Sequence, residues 1–347
     1  MIHTVELRTK SSDFSSYLKF KENPDLCHSY AGITITPYKV GQGKGKYQYR
    51  LKAKINLSRT IYPDNYLAIY TGKDADQILN AIEQAFSEMD LLPTSFWTLA
   101  RVDFTIDIRT PYVSQYLQIL AHGDHKYKPQ HKNGSLYMVG ADRGVIINFY
   151  SKEAEQKTWG EEAAEKAKNI LRIEVQCLDK RLAALFSRNN AKPVRDLPSM
   201  LTVNNGDPLI DMVNETIGKH ILSISGLCDH ISTDAAIAKI QQSKGLQERT
   251  ELQLIHLIKR INRKNGSISI ARDRWCKETK TAATVFKARM KALYDMGINP
   301  ICTPPGCPVN CLESLYQLYL AALVQEYEEA QAENYQNQTE SDRIRQD

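Results

Sequence analysis

The most regular feature of the chain is a strict alternation. Between Lys46 and Leu57, Tyr47, Tyr49, Leu51, Ala53, Ile55 and Leu57 take one set of positions, and Lys46, Gln48, Arg50, Lys52, Lys54 and Asn56 take the other. Successive side chains of a strand point to opposite faces, so this run predicts a half-buried antiparallel strand whose polar side is a line of cations. Such a line is either a solvated face or a phosphate-contacting surface. A strand over 30–38 and a glycine-rich turn at 41–45 precede it. An apolar stripe at helical spacing (Ile78, Leu79, Ile82, Ala85, Phe86) predicts a helix over 76–89, ending before Pro93. A strand over 99–108 follows, then a helix over 112–121, a polar loop over 122–133 and a hairpin of 136–139 with 145–150 around the turn 140–144. A charged, alanine-rich helix over 151–169 and a strand over 171–178 complete this part. The order predicts an α+β domain, an antiparallel sheet with helices on one side.

Three of these strands each carry one polar face. In 101–108 the even positions are apolar and the odd ones are Arg101, Asp103, Thr105 and Asp107; in 145–152 Asn148, Tyr150 and Lys152 share a side; in 171–177 Arg172, Glu174 and Gln176 do. If the strands are neighbours with these faces aligned, one cluster results, because adjacent strands lie about 4.8 Å apart. Crowded carboxylates repel unless a cation sits among them, and hard oxygen donors suit Mg²⁺ or Mn²⁺. A tyrosine beside such a metal and a lysine is a candidate covalent nucleophile toward phosphorus. The alternative is a solvent-facing side laced with salt bridges.

Beyond residue 190 the pattern turns helical. A turn or linker at 204–208 precedes an amphipathic helix over 248–261; a short element over 268–275 and a second helix over 282–296 follow. Helix, turn and basic helix are compatible with a helix-turn-helix, and Lys280, Lys287, Arg289 and Lys291 would be its outward cations. Three regions are therefore expected: a sheet domain over 1–190, a helical domain over 191–331 and a disordered acidic tail over 332–347.

Composition and charge refine this picture. The 347 residues are 42% hydrophobic, enough for a substantial core, and carry 45 Lys+Arg against 40 Asp+Glu. The near balance conceals a segregation. From Gln241 to Pro300 there are thirteen cations against five acids, whereas Glu326 to Asp347 carries seven acids and two arginines. The first segment suits nucleic acid, and the second masks it in the total. No run of about eighteen apolar residues and no signal-peptide pattern occur, so a cytoplasmic protein is expected. Seven scattered cysteines fit reduced thiols, and the C-x4-C-x3-C group at Cys302, Cys307 and Cys311 lacks an evident fourth zinc ligand. The His122-Gly123-Asp124-His125 loop reads as surface rather than as a metal site.

The runs Ala100 to Thr105, Asn148 to Glu155 and Leu171 to Val175, an R-x-D strand, a Y-x-K strand and an R-x-E strand in order, resemble the conserved blocks of filamentous-phage gene II replication initiators. Tyr30 to Ile33, Tyr47 to Leu57 and Phe286 to Ile298 extend the resemblance over most of 28–300. It is looser toward plasmid and conjugative-element rolling-circle initiators. The resemblance implies a site-specific endonuclease that nicks one strand of an origin, stays joined to the 5′ phosphate through tyrosine and later rejoins the displaced strand. Tyr150 matches the nucleophile, with Tyr137 in the preceding strand as its rival. Asp103, Asp107 and Glu174 would hold Mg²⁺ or Mn²⁺, while Lys152 and Arg172 would offset charge on the phosphoryl oxygens. Arg50, Lys52 and Lys54 and the four cations of the basic helix would contact DNA. Double-stranded origin DNA, single-stranded DNA and a host replicative helicase are the implied partners. One departure stands: the His-hydrophobic-His pair of many rolling-circle nickases is missing. A conjugative-element relaxase and a non-catalytic helix-turn-helix regulator are the alternative readings.

Overall fold

Alternation along the chain translates directly into a sheet with two unlike faces. The computed structural model describes residues 2–27, 30, 32–62, 75–125, 129–132, 134–139, 144–178, 181–185, 196–202, 211–280, 282–326 and 328. Eight strands, β1 (Ile2–Thr9), β2 (Ile33–Gly41), β3 (Tyr47–Asn56), β4 (Trp97–Arg109), β5 (Gln130–Lys132), β6 (Ser135–Val139), β7 (Val145–Ser151) and β8 (Ile170–Leu178), form one sheet in the order β2-β3-β1-β4-β8-β7-β6-β5. All neighbours pair antiparallel. The fold is thus α+β with an antiparallel sheet, and its carboxy-terminal part is mostly helical.

The apolar face is the core. Val102, Phe104, Ile106 and Ile108 of β4 are buried, as are Ile173, Val175 and Cys177 of β8 and Val145, Ile147 and Phe149 of β7. Each large side chain buried in this way contributes about 1.5–3 kcal/mol relative to exposure. The helices are α1 (Phe14–Glu22), α2 (Leu57–Ile61), α3 (Ala75–Glu88), α4 (Val113–Ala121), α5 (Lys152–Gln156) and α6 (Glu161–Lys166). Phe86 of α3 meets Trp97 of β4 with ring centroids 5.1 Å apart, and α4 packs on β6 and β7.

Most expected elements occur at or within a few residues of their expected bounds, while α1, α2 and the helix Thr233–Gln241 are unexpected, and further differences bear on the sheet. Strand β1 has no counterpart in the sequence reading, yet it lies at the centre, pairing with both β3 and β4. The single helix expected over 151–169 is broken: Ser151 caps α5, a tight turn covers Lys157–Trp159, and Gly160, at φ +122°, separates it from α6. An L side chain rarely adopts that φ, so the chain reverses there. The short strand β5 falls within the expected polar loop, and the short element over 268–275 is a full helix. The turn at 140–143, the linker at 204–208, the boundary near 190 and the tail 332–347 lie outside the described residues.

Downstream are α7 (Leu197–Thr202), α8 (Lys219–Ser225), α9 (Thr233–Gln241), α10 (Glu248–Ile261), α11 (Ile268–Thr279), α12 (Ala283–Asp295) and a helix over 315–326. Leu254, Leu257, Ile258 and Ile261 of α10 are buried, as are Ala271 and Trp275 of α11 and Phe286 and Leu293 of α12. Residues 280–282 separate α11 from α12, and Trp275 meets Phe286 across that connection at 6.4 Å. The helical part is tied to the sheet part at the end of α4. Ile268 donates its N–H to the His122 carbonyl at 2.9 Å, and Arg272 is ion-paired with Asp124 at 2.8 Å. His125 is buried with its ring against the Leu120 carbonyl, so this loop is an internal joint rather than plain surface. No helix among the described residues is long and apolar enough to cross a membrane.

Phe104 stands at the middle of the apolar face, fully enclosed. Replacing it with alanine is expected to cost about 3–5 kcal/mol in a urea unfolding titration, because the cavity left behind cannot collapse between two paired strands. A loss below about 1 kcal/mol would contradict this account of the core.

Candidate active site

The register settles which polar side chains meet. Asp103 pairs with Gln176, Thr105 with Glu174 and Asp107 with Arg172 between β4 and β8; Glu174 pairs with Asn148 and Arg172 with Tyr150 between β8 and β7. Directly paired residues share a face, so Asp103, Asp107, Arg172, Glu174 and Tyr150 lie on one side of three adjacent strands. On the other flank, Thr4 pairs with both Asp103 and Asn56, and Lys54 with Glu6. The line of cations on β3 therefore continues the same face as the carboxylates.

This face is largely shielded from water. Asp103 is 1% exposed, Arg172 0%, and Glu174 and Tyr150 7% each. A cavity of about 590 Å³ opens onto it, with Tyr150, Glu174 and Asp103 at its base and His3, Lys54, Arg59, Arg101 and Glu155 among its walls. Tyr150 Oη donates to Glu174 Oε2 at 3.5 Å, and Gln176 donates to Glu174 Oε1 at 2.9 Å. His3 Nδ1 stands 3.9 Å from Glu174 Oε2. Burial, reinforced by Glu174, holds the Tyr150 phenol well above its usual pKa, with Arg172 opposing.

The carboxylates do not form one ligand set. Asp107 is held by Arg172 through two bonds of 2.6 Å, and four residues of strand place it about 13 Å from Asp103 along β4. Asp103 is gripped by Arg101 of its own strand, with Nε to Oδ1 at 2.6 Å. Burial pushes Asp103 up to about 7, Arg101 opposing and Glu174 adding to the rise. Among the described residues no group of three His, Cys, Asp or Glu side chains converges as a metal site would require. The expected Asp103, Asp107 and Glu174 triad is thus not assembled, because arginines already occupy the two aspartates.

Two other expectations change with the geometry. Lys152 is not on the strand face: β7 ends at Ser151, and Lys152 begins α5, fully buried, with Nζ 2.6 Å from Glu155 Oε2. Burial and Arg172 lower it to about 8 against the pull of Glu155. Lys152 and Arg172 are consequently engaged with Glu155 and Asp107, and the cations that line the cavity are Lys54, Arg59 and Arg101. Tyr137 shares the polar face, paired with Asn148, one strand further from Glu174 than Tyr150.

The remaining candidates are spread out. Arg50 donates to Gln48 at 2.6 Å, and Lys52 is 3.7 Å from Glu6. Lys280 is not on a helix; it caps α11 in a left-handed conformation. Lys287 is exposed on α12, and Lys291 is ion-paired with Asp295 at 2.6 Å. Arg289 turns inward toward α10, donating to Gln253 at 2.9 Å, because the buried stripe of α12 brings that side of the helix against its neighbour. His3, Arg59 and Glu155 had no signal as site residues, since each joins the cavity through pairing or a turn that spacing does not reveal. Arg101 belonged to the alternating polar set without a role.

No family model and no curated protein matches the chain. The cavity lining combines one phenol, the Glu174 carboxylate that accepts from it, the Arg101–Asp103 pair, Glu155, and the cations Lys54 and Arg59.

Two outcomes test this description. Asp107→Ala leaves the enclosed Arg172 without its carboxylate and is expected to cost about 3–5 kcal/mol in chemical denaturation, while Asp107→Leu with Arg172→Met loses less. Asp103 binds a proton more tightly folded (about 7) than its ordinary value of 3.8, so the native state holds more protons between those values. Stability should therefore fall as pH rises from about 4 to 7, and Asp103→Asn should flatten that slope in urea titrations across pH.

Proposed function

We propose that this chain is a DNA-nicking replication initiator of the rolling-circle type, using Tyr150 to take a 5′ phosphate at an origin and returning it when the displaced strand is rejoined. One observation carries the reading. Tyr150 Oη lies against Glu174 at the base of a cavity whose walls present Lys54, Arg59 and Arg101. In the forward step the Oη–P bond forms and the P–O3′ bond breaks. Glu174 accepts the phenolic proton, and the 3′ oxygen leaves and is protonated from water. Lys54 and Arg59 balance the charge that builds on the phosphoryl oxygens, a role that the resemblance implies for Lys152 and Arg172. Rejoining is the reverse exchange, so no external energy source is required.

The separate helices support the origin-binding half. Exposed Lys287 on α12, and Lys280 at the connection from α11, offer cations to a duplex in the manner of a helix-turn-helix. The ligand triad expected for Mg²⁺ or Mn²⁺ is not formed among the described residues, so dependence on the ion is a variable of the assay. A second reading, a DNA-binding regulator without catalysis, draws support from the arginines that already occupy Asp103 and Asp107.

The test is incubation with supercoiled plasmid bearing the cognate origin, with and without Mg²⁺, followed by denaturing electrophoresis. Wild-type protein is expected to give relaxed plasmid and a denaturant-resistant adduct. Tyr150→Phe should give none, Tyr137→Phe should retain it, and Glu174→Gln should slow its formation by about 10²–10⁴-fold as a lost general base. An adduct that survives in Tyr150→Phe assigns the attack to another residue; salt-sensitive binding with no adduct from any variant favours the regulator.

A further inference from the structure

The walls of the cavity meet above it. Arg59 lies on α2, just after β3, while Trp159 lies on the turn just after α5, which itself follows β7. Strands β3 and β7 are four steps apart in the sheet, about 19 Å if it were flat. Even so, the Arg59 guanidinium sits 4.5 Å from the centre of the Trp159 ring. The sheet curls and the two following segments fold over its polar face until they touch. Gly32 makes this approach possible: at φ +79°, a Cβ there would stand 2.9 Å from Arg59 Cβ and 2.7 Å from the Asn56 carbonyl oxygen.

A tryptophan that merely stitched two segments together would be enclosed. Trp159 is 57% exposed, whereas Trp97 and Trp275 are 1% and 4% exposed. One aromatic surface is therefore left in water against Arg59, which lines the cavity, and is already backed by its guanidinium. Tyr150, at 7% exposure, can be reached only by a backbone that enters the cavity. A strand drawn in that far leaves its partner, and its bases lose their stacking neighbours. An aromatic face backed by arginine is the surface that replaces them.

We infer that Trp159, held by Arg59, is a stacking station for one base of single-stranded DNA next to the phosphate that enters the cavity. The inference rests on the nicking reading for what the cavity does, and adds which chemical feature of the strand is gripped beside it. Base stacking is tolerant of sequence, so the station supplies affinity and register rather than recognition of the origin.

The probe is a sixteen-nucleotide oligothymidylate, compared with an abasic strand of the same length, titrated into the full chain while tryptophan emission is followed. Oligothymidylate is expected to quench the emission. The abasic strand should compete for binding, with strong salt dependence, but should not quench. Trp159→Ala should abolish the quench and weaken oligothymidylate binding about tenfold, and Trp159→Phe should recover part of the affinity by keeping a ring. Binding without quenching, undiminished binding by Trp159→Ala, or equal quenching by the abasic strand would each overturn the station. The origin-plasmid assay keeps the two readings apart. An adduct formed by a wild-type chain that shows no quench removes the station and leaves nicking; a quench in a chain that never forms an adduct removes nicking and leaves a strand-binding cavity.

Discussion

Where β4, β8 and β7 meet, the polar face of the sheet is out of water, and that constraint organises what surrounds it. Alternation alone would leave one side of an antiparallel sheet solvated. Here the segments after β3 and β7 fold over that side, so its ionised groups must find partners within the protein. Arg172 takes Asp107, Arg101 takes Asp103, Lys152 takes Glu155, and Gln176 and Tyr150 donate to Glu174. The pairing is local, mostly within a strand or between immediate neighbours, and it leaves a small remainder facing the cavity. Facing the cavity are the Tyr150–Glu174 and Arg101–Asp103 pairs, with Lys54, Arg59 and Glu155 beside them.

The same constraint separates what the sequence discloses from what it hides. The two faces of β3, β4, β7 and β8 are legible because each run alternates over at least six residues, and period 2 has only one structural meaning. The cluster of Asp103, Glu174, Arg172 and Tyr150 follows from those runs once the strands are adjacent. Strand β1 escapes notice because its alternation is interrupted: the pairing with β4 shifts register between Ile2 and Thr4 and again between Glu6 and Leu7. Lys152 is misplaced for a related reason. By parity it belongs with Tyr150, yet Ser151 caps a helix and rotates the next residue off the strand. Charged side chains on a shared face can also be mistaken for a metal site. Spacing reports that carboxylates are near one another but not that arginines two residues away, or on the next strand, have taken them. Arg59 and Trp159, a hundred residues apart, meet only because of sheet order and curl.

Electrostatics then sets the direction of events in the proposed reading. With Lys152 and Arg172 enclosed and paired, their charges are fixed furniture of the fold, and exchanging them for neutral groups would act first on stability. Lys54 and Arg59 line open space, so their attraction for a phosphate is felt at a distance and weakens with salt. Glu174 is the one carboxylate lining this space that accepts a hydrogen bond from Tyr150. Burial and Glu174 keep Tyr150 protonated in the free protein, so its proton would leave only as the Oη–P bond forms.

The basic helices are coupled to this cavity through packing rather than through a flexible tether. The first N–H of α11 is bonded to the carbonyl of His122, Arg272 of α11 is paired with Asp124, and both partners lie at the end of α4. Helix α4 packs on β6 and β7, the strands that carry Tyr137 and Tyr150. A duplex held by α12 would therefore be linked to the phenol through the Trp275–Phe286 contact, the two polar links of α11 and the packing of α4. On the proposed reading, this packing would relate the grip on a duplex to the cut, since the distance between them is then set by the elements that join α12 to β7.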